Sequence, residues 1–148
     1  MDSGQALAEL VGTSSQVELA LAFDREGRSI AIAPEAGDET ARSLARSAAS
    51  IVDGARDFGG ESHGEPVQIE LAYREASILV AREDDLCLMA LTSPDPIAAL
   101  VFFDLKTCLA RIGETEEKGR GPSVRGLGRR VRRWMGWSED GERTNGSA

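Results

Sequence analysis

The sequence predicts an α+β domain in which helices cover a sheet, with elements in the order α-β-β-α-β-β-β-α. Three stretches carry that prediction. Residues 17–23 alternate with the two-residue period of a strand. Residues 38–58 set Ala41, Leu44, Ala45, Ala48, Ile51, Val52, Ala55 and Phe58 at steps of three and one, along one side of a helix. Residues 86–91 are apolar throughout, as in a central strand covered on both faces.

In chain order, the first helix is expected over residues 2–11. Asp2 or Ser3 caps it, and Ala6, Leu7, Leu10 and Val11 form a small apolar face. In the first strand Val17, Leu19, Leu21 and Phe23 point one way, and Glu18, Ala20 and Ala22 the other. Residues 24–27 turn the chain, with Gly27 supplying the left-handed conformation. Residues 28–33 return as a second strand, with Ile30 and Ile32 on one side and alanines on the other. The long helix over 38–58 follows. Its apolar side is mostly alanine, which lets another backbone approach closely, and its outer side carries Glu39, Arg42, Ser43, Arg46, Ser50, Asp53, Arg56 and Asp57. Residues 59–65 read as a polar, glycine-rich loop that holds the one histidine, His63.

The third strand is expected over 67–74, with Val67, Ile69, Leu71 and Tyr73 on one face. Residues 77–82 and 86–91 are the fourth and fifth, joined by a turn at 83–85. Asp95 as N-cap and Pro96 as first helical residue open the last helix. It is expected to run to Ile112 on a face of Ile97, Leu100, Val101, Leu105, Cys108, Leu109 and Ile112, and to stop at Gly113.

A chain of 148 residues with 41% hydrophobic side chains has room for one core. No apolar run approaches the roughly 20 residues that span a bilayer. The first residues carry no base ahead of their apolar positions and do not read as a signal peptide, so a cytoplasmic location is expected. Cys87 and Cys108 sit singly inside apolar patterns, as small buried hydrophobes do. With one histidine they cannot complete a zinc site of about four Cys/His ligands.

Charge divides the chain. Residues 1–113 hold 19 acids and 9 bases, a net −10, whereas residues 118–137 hold 7 bases and no acid. The expected organisation is a folded domain over 1–113, a flexible linker over 114–123, a basic amphipathic segment over 124–137 and a disordered polar tail over 138–148.

No catalytic residue, metal ligand or cofactor site is expected. The phosphate-loop, dinucleotide, nucleophile-elbow and zinc-protease motifs are all missing from the sequence. Asp84 and Asp85 lack the converging oxygens a cation needs, and no serine has a histidine in its own core pattern. The basic segment is the chemically pronounced stretch. On a helix, Val124, Leu127, Val131 and Trp134 line one side, while Arg125, Arg129, Arg130, Arg132 and Arg133 cover the remainder, with Trp137 near the end. That pattern suits an anionic membrane surface or the acidic face of a partner; nucleic-acid phosphates are the alternative. Gly126, Gly128 and Gly136 each cost a helix about 1 kcal/mol, so order is expected only on binding.

Four stretches carry a family resemblance: VELALAFDREGRSIAIA over 17–33, LARSAASIVDGA over 44–55, VQIELAYREASILVAREDDLCLMALT over 67–92, and PIAALVFFDLKTCLARI over 96–112. Together they resemble the Roadblock/LC7 family over about residues 5–112. The resemblance implies a profilin-like sandwich, a five-stranded antiparallel sheet of order 2-1-5-4-3 between helices. It also implies a homodimer, with third strands paired edge to edge and second helices packed together. The implied contact residues are Ala41, Leu44, Ala45, Ala48, Ile51 and Val52 of the helix and Val67, Ile69, Leu71 and Tyr73 of the strand. Prokaryotic members act on or beside small Ras-like GTPases. The expected function is therefore a non-enzymatic regulator or scaffold, which its tail can bring to the inner face of the membrane. Arg42 and Arg46 are arginine-finger candidates by position alone; pairing with Asp38, Glu39 or Ser50 is the plainer expectation. The basic segment lies outside the family pattern.

Overall fold

The computed structural model describes residues 2–120. Its elements are α1 (Ser3–Thr13), β1 (Val17–Asp24), β2 (Ser29–Ala33), α2 (Asp38–His63), β3 (Gln68–Ala72), β4 (Ser77–Glu83), β5 (Leu86–Thr92) and α3 (Ala98–Arg120). The strands form one antiparallel sheet in the order β2-β1-β5-β4-β3. One face packs against α2, the other against α1 and α3. This is the expected sandwich.

The doubly apolar run explains itself in this arrangement. β5 is the middle strand: Leu88 and Ala90 join the cluster under α1 and α3, while Cys87 and Met89 join the cluster under α2. β1 divides likewise, Ala20 and Ala22 to one side and Leu21 and Phe23 to the other. Burying a Leu or Phe fully contributes roughly 1.5–3 kcal/mol, and Phe23, Leu7, Leu21, Leu79, Leu88 and Leu105 are all fully buried. Val17 departs from the expected alternation. The β1–β5 register slips between Val17 and Leu19, so Val17 turns to the α1/α3 side.

The helix boundaries differ most from expectation, each for a local reason. Asp2 caps α1 as expected, its Oδ1 accepting from the Gln5 N–H at 2.7 Å. α2 does not stop at Phe58; it continues to His63 with a break at Gly60, whose φ is +63°. Residues 61–63 therefore add a further helical turn beyond the break, where a loop was expected. α3 begins at Ala98, not Pro96. Asp95 has a φ of +56° and cannot take the extended conformation of an N-cap. Instead the Ile97 carbonyl accepts the first helical bonds, from Leu100 and Val101, and the Ile97 N–H donates to Gln16 Oε1 at 2.6 Å. The buried stripe of α3 is Val101, Leu105, Cys108, Leu109 and Ile112; Ile97 and Leu100 lie off it and are exposed. Gly113 does not end the helix, because a glycine stops a helix by turning left-handed and Gly113 does not. Residues 114–120 are thus helical where a linker was expected. The remainder of that linker, the basic segment and the polar tail lie outside the described residues.

Candidate functional site

β3 is an edge strand, and its hydrogen-bond polarity can be read from its ends. The Arg82 N–H donates to the Val67 carbonyl at 3.1 Å, and the Tyr73 N–H to the Ala76 carbonyl at 2.8 Å. In an antiparallel ladder alternate residues face the same neighbour. Val67, Ile69, Leu71 and Tyr73 therefore turn their main chain toward β4. Gln68, Glu70 and Ala72 turn theirs outward, where no strand among the described residues pairs with them. The strand is shorter than expected, and Val67 and Tyr73 flank it with 65% and 57% of their surface exposed. Ile69 is half-buried in the cluster under α2, and Leu71 is also half-buried.

α2 carries two apolar stripes. Ala41, Ala45, Ala48 and Val52 are buried within this protomer. Four of the six helix residues expected at a dimer contact therefore face their own sheet. A second stripe lies on one flank: Leu44, Ile51 and Phe58, seven residues apart. Interleaved with Ala41, Ala48 and Ala55 they give steps of 3-4-3-4-3, the spacing of a helix–helix seam. Leu44 and Ile51 are half-buried, and Phe58 is 95% exposed. Phe58 was expected on the sheet-facing side, but at about 100° per residue it stands roughly a quarter turn away from the buried stripe.

The direction of that flank follows from the opposite one. Arg42 and Arg46 border a groove of about 560 Å³ between β2 and the start of α2. The seam of Leu44, Ile51 and Phe58 thus faces away from β2. Leu44 shares its cluster with Ile69 of β3 and Ile78 of β4. The outward edge of β3 and the apolar flank of α2 lie on the same side of the domain. Arg42 and Arg46 form no hydrogen bond or ion pair among the described residues, so the pairing expected with Asp38, Glu39 or Ser50 does not occur.

An arginine cluster fixes the connection between the two elements. Glu65, just after α2, accepts from Arg25 Nη2 at 2.9 Å and from Arg56 Nε at 2.8 Å, with Arg82 Nη1 at 3.7 Å. Arg56 also donates to Asp53 at 2.9 Å. The hydrogen bond from Arg56 holds the Glu65 carboxyl below its usual range, against the opposing effect of desolvation. No sequence signal pointed to this cluster, because its members come from the β1–β2 turn, α2, the α2–β3 connection and β4. The groove beside β2 was equally unmarked.

The remaining candidates are plain. His63 is exposed, its Nδ1 2.8 Å from the Gly59 carbonyl. Asp84 takes a φ of +55° in the β4–β5 turn. Among the described residues no group of three or more His, Cys, Asp or Glu could hold a metal, and no helix is long and apolar enough to cross a membrane. Cys87 and Cys108 belong to clusters on opposite faces of the sheet, and burial pushes each thiol up to about 11. Tail residues Arg125, Arg129, Arg130, Arg132, Arg133, Trp134 and Trp137 lie outside the described residues.

Sheet order, helix placement and a free third strand are those of a Roadblock/LC7 fold. No protein-family profile matches the chain and no curated protein matches it, but solved structures do. A Roadblock/LC7 domain from Streptomyces avermitilis superposes with a TM-score of 0.70 at 15% identity, over 78% of this chain and 98% of that one. Myxococcus xanthus MglB gives 0.66 at 16% identity, over 76% and 95%. An MglB with a tetrameric arrangement gives 0.62 at 20% identity, over 76% and 88%. Likeness at these identities establishes the fold.

Proposed function

We propose that the protein is a non-enzymatic, homodimeric regulator or scaffold that recruits or modulates a small Ras-like GTPase. Its basic segment attaches the dimer to an anionic membrane surface or an acidic partner, at the inner face of the membrane. One observation carries the reading: an unpaired strand edge and an apolar helix flank lie on one side of the domain. A twofold axis beside β3 makes that surface self-complementary, strand against strand and seam against seam. It also covers an edge that would otherwise template aggregation. The contact residues are then Leu44, Ile51 and Phe58 of α2 with Val67, Leu71 and Tyr73 of β3, while the buried alanines support the helix from beneath. A neighbour in fold with a tetrameric arrangement fits self-association. The GTPase partner rests on the Roadblock/LC7 resemblance. Arg42 and Arg46, without ion pairs among the described residues, are available to an acidic partner surface.

The test has separate arms. Light scattering on a sizing column should give a dimer mass; a monomer at every concentration overturns the dimer. Pull-downs with Ras-like GTPases loaded with GDP or a GTP analogue should recover a complex; capture in neither nucleotide state overturns the GTPase reading. Flotation with anionic vesicles across a salt series should depend on residues 124–137. Tight duplex DNA binding without vesicle binding overturns membrane attachment in favour of a nucleic-acid grip.

A further inference from the structure

β2 is the other edge strand of the sheet, and no strand among the described residues pairs with its outer side. Its polarity follows from the turn before it. The Asp24 N–H donates to the Arg28 carbonyl at 3.1 Å, so the main chains of Asp24, Ala22 and Ala20 face β2. Leu21 and Phe23, between them, face β5. Ile32 stands opposite Leu21 and Ser29 opposite Phe23, so both turn their N–H and carbonyl groups outward. A bulge at Ile30 and Ala31 takes up the extra residue, leaving Ser29 and Ile32 two partner positions apart. Leu21, Phe23 and Ile32 belong to the cluster under α2, and Ser29 lines the groove beside that helix. The side chains of this free edge therefore lie on the α2 face.

The far wall of the groove is cationic. The start of α2 runs back along β2: Asp38 closely follows the strand's end, and a Cβ on Gly27, just ahead of the strand, would lie 3.6 Å from Arg46 Cα. Arg42 and Arg46 thus stand one turn apart along the groove, Arg42 toward Ile32 and Arg46 toward Ser29. That spacing is about 6 Å on a helix, and side chains on one face of an extended strand repeat at about 6.7 Å. Three arginines and two acids line the groove. Arg28 holds Glu26 at 3.5 Å, which leaves Arg42 and Arg46 against Asp38. The groove is positive in a domain of net −10. Ile30, 43% exposed, lies in it too. Pairing through β3 leaves it open, because the α2 seam faces away from β2.

We propose that this groove takes an extended acidic segment of a partner, with carboxylates two residues apart, added to β2 as an antiparallel strand. The residues opposite Ile32 and Ser29 exchange main-chain bonds with them and point their side chains to the α2 face, where the carboxylates meet Arg42 and Arg46. Pro34 has no N–H and closes the edge after Ala33. With so short an edge, the two arginines decide which segment binds. The site goes beyond the GTPase reading and does not depend on it; failure to capture a GTPase leaves it standing.

The probe is a capped pentapeptide with glutamate at its second and fourth positions and threonine elsewhere, titrated into the isotope-labelled full chain. The amide signals of Ser29 and Ile32 are expected to shift and to exchange more slowly with solvent. Arg42→Gln and Arg46→Gln should each weaken binding roughly five- to tenfold. Both variants should keep the parent's circular dichroism and self-association, since neither side chain has an ion-pair partner among the described residues. N-methylation of both glutamates should weaken binding at least about fivefold, by removing the donors that face β2, whereas N-methylation of the central threonine, which faces away, should be tolerated. No shift at about 1 mM peptide overturns the proposal. So does an affinity that survives both arginine changes. Equal losses from the two N-methylations overturn strand addition. Binding that appears only in an Asp140→Asn, Glu142→Gln chain overturns a partner segment in favour of the chain's own acidic end.

Discussion

Replacing Glu70 by proline separates the fold of β3 from its use. The Glu70 N–H points away from β4, so the β3–β4 ladder keeps every bond it has. Edge strands tolerate proline where the N–H faces outward. If two β3 edges pair about a twofold axis, each protomer loses one donor and the interface loses two hydrogen bonds. At a net 0.5–1.5 kcal/mol each, the dimer weakens by about 1–3 kcal/mol. That is roughly 5- to 150-fold in dissociation constant. Leu71→Pro is the contrasting change. Its N–H faces β4 opposite Ile78, so the protomer itself should lose stability. Sedimentation equilibrium over a concentration series reads the first effect, and thermal unfolding by circular dichroism reads the second. A Glu70→Pro protein that is folded and dimerises with the parent's affinity refutes edge pairing through β3. A Glu70→Pro protein that unfolds refutes the polarity assigned to the strand.

Three further outcomes follow from the same geometry. Phe58→Ala should leave the protomer's melting unchanged within about 0.5 kcal/mol, since the side chain is 95% exposed, yet weaken the dimer; unchanged affinity in sedimentation would remove the α2 seam from the interface. Gly27→Ala should cost at least about 1 kcal/mol, because Gly27 has a φ of +82° and a new Cβ would lie 3.2 Å from Ala49 Cβ; urea unfolding measures it, and a neutral result would contradict the close approach of the β1–β2 turn to α2. Glu65 has a folded pKa below its ordinary 4.5, so its contribution to stability is full above that value and is lost as pH falls through the folded pKa. Glu65→Gln should lower stability at pH 7 and flatten the acid limb of a melting-temperature profile, whereas a parallel profile would deny the arginine cluster that role.

Much of the fold was legible in the sequence because periodicity records burial. The doubly apolar run at 86–91 announced a middle strand, and the 17–33 hairpin announced its own turn through Gly27. Ends were less legible. Whether Asp95 caps a helix or Gly113 stops one depends on a single φ angle, and that angle is set by what the flanking chain packs against. The proposed contact surface was half legible. The alanine stripe of α2 and the Leu44, Ile51, Phe58 seam overlap in one sequence pattern, and only the sheet beneath decides which is inside.

Two kinds of information therefore divide cleanly. The sequence alone determined element order, the acidic domain with its basic extension, and the absence of familiar catalytic and phosphate-binding motifs, because these depend on residue type and local spacing. Tertiary structure alone decided that Val17 crosses to the α1/α3 side, that Glu65 gathers arginines from the β1–β2 turn, α2 and β4, and that Arg42 and Arg46 beside β2 have no ion-pair partner among the described residues. It also turned the α2 seam toward the free edge of β3. Those facts depend on which distant segments meet, and contact between segments far apart in the chain leaves no period in a sequence.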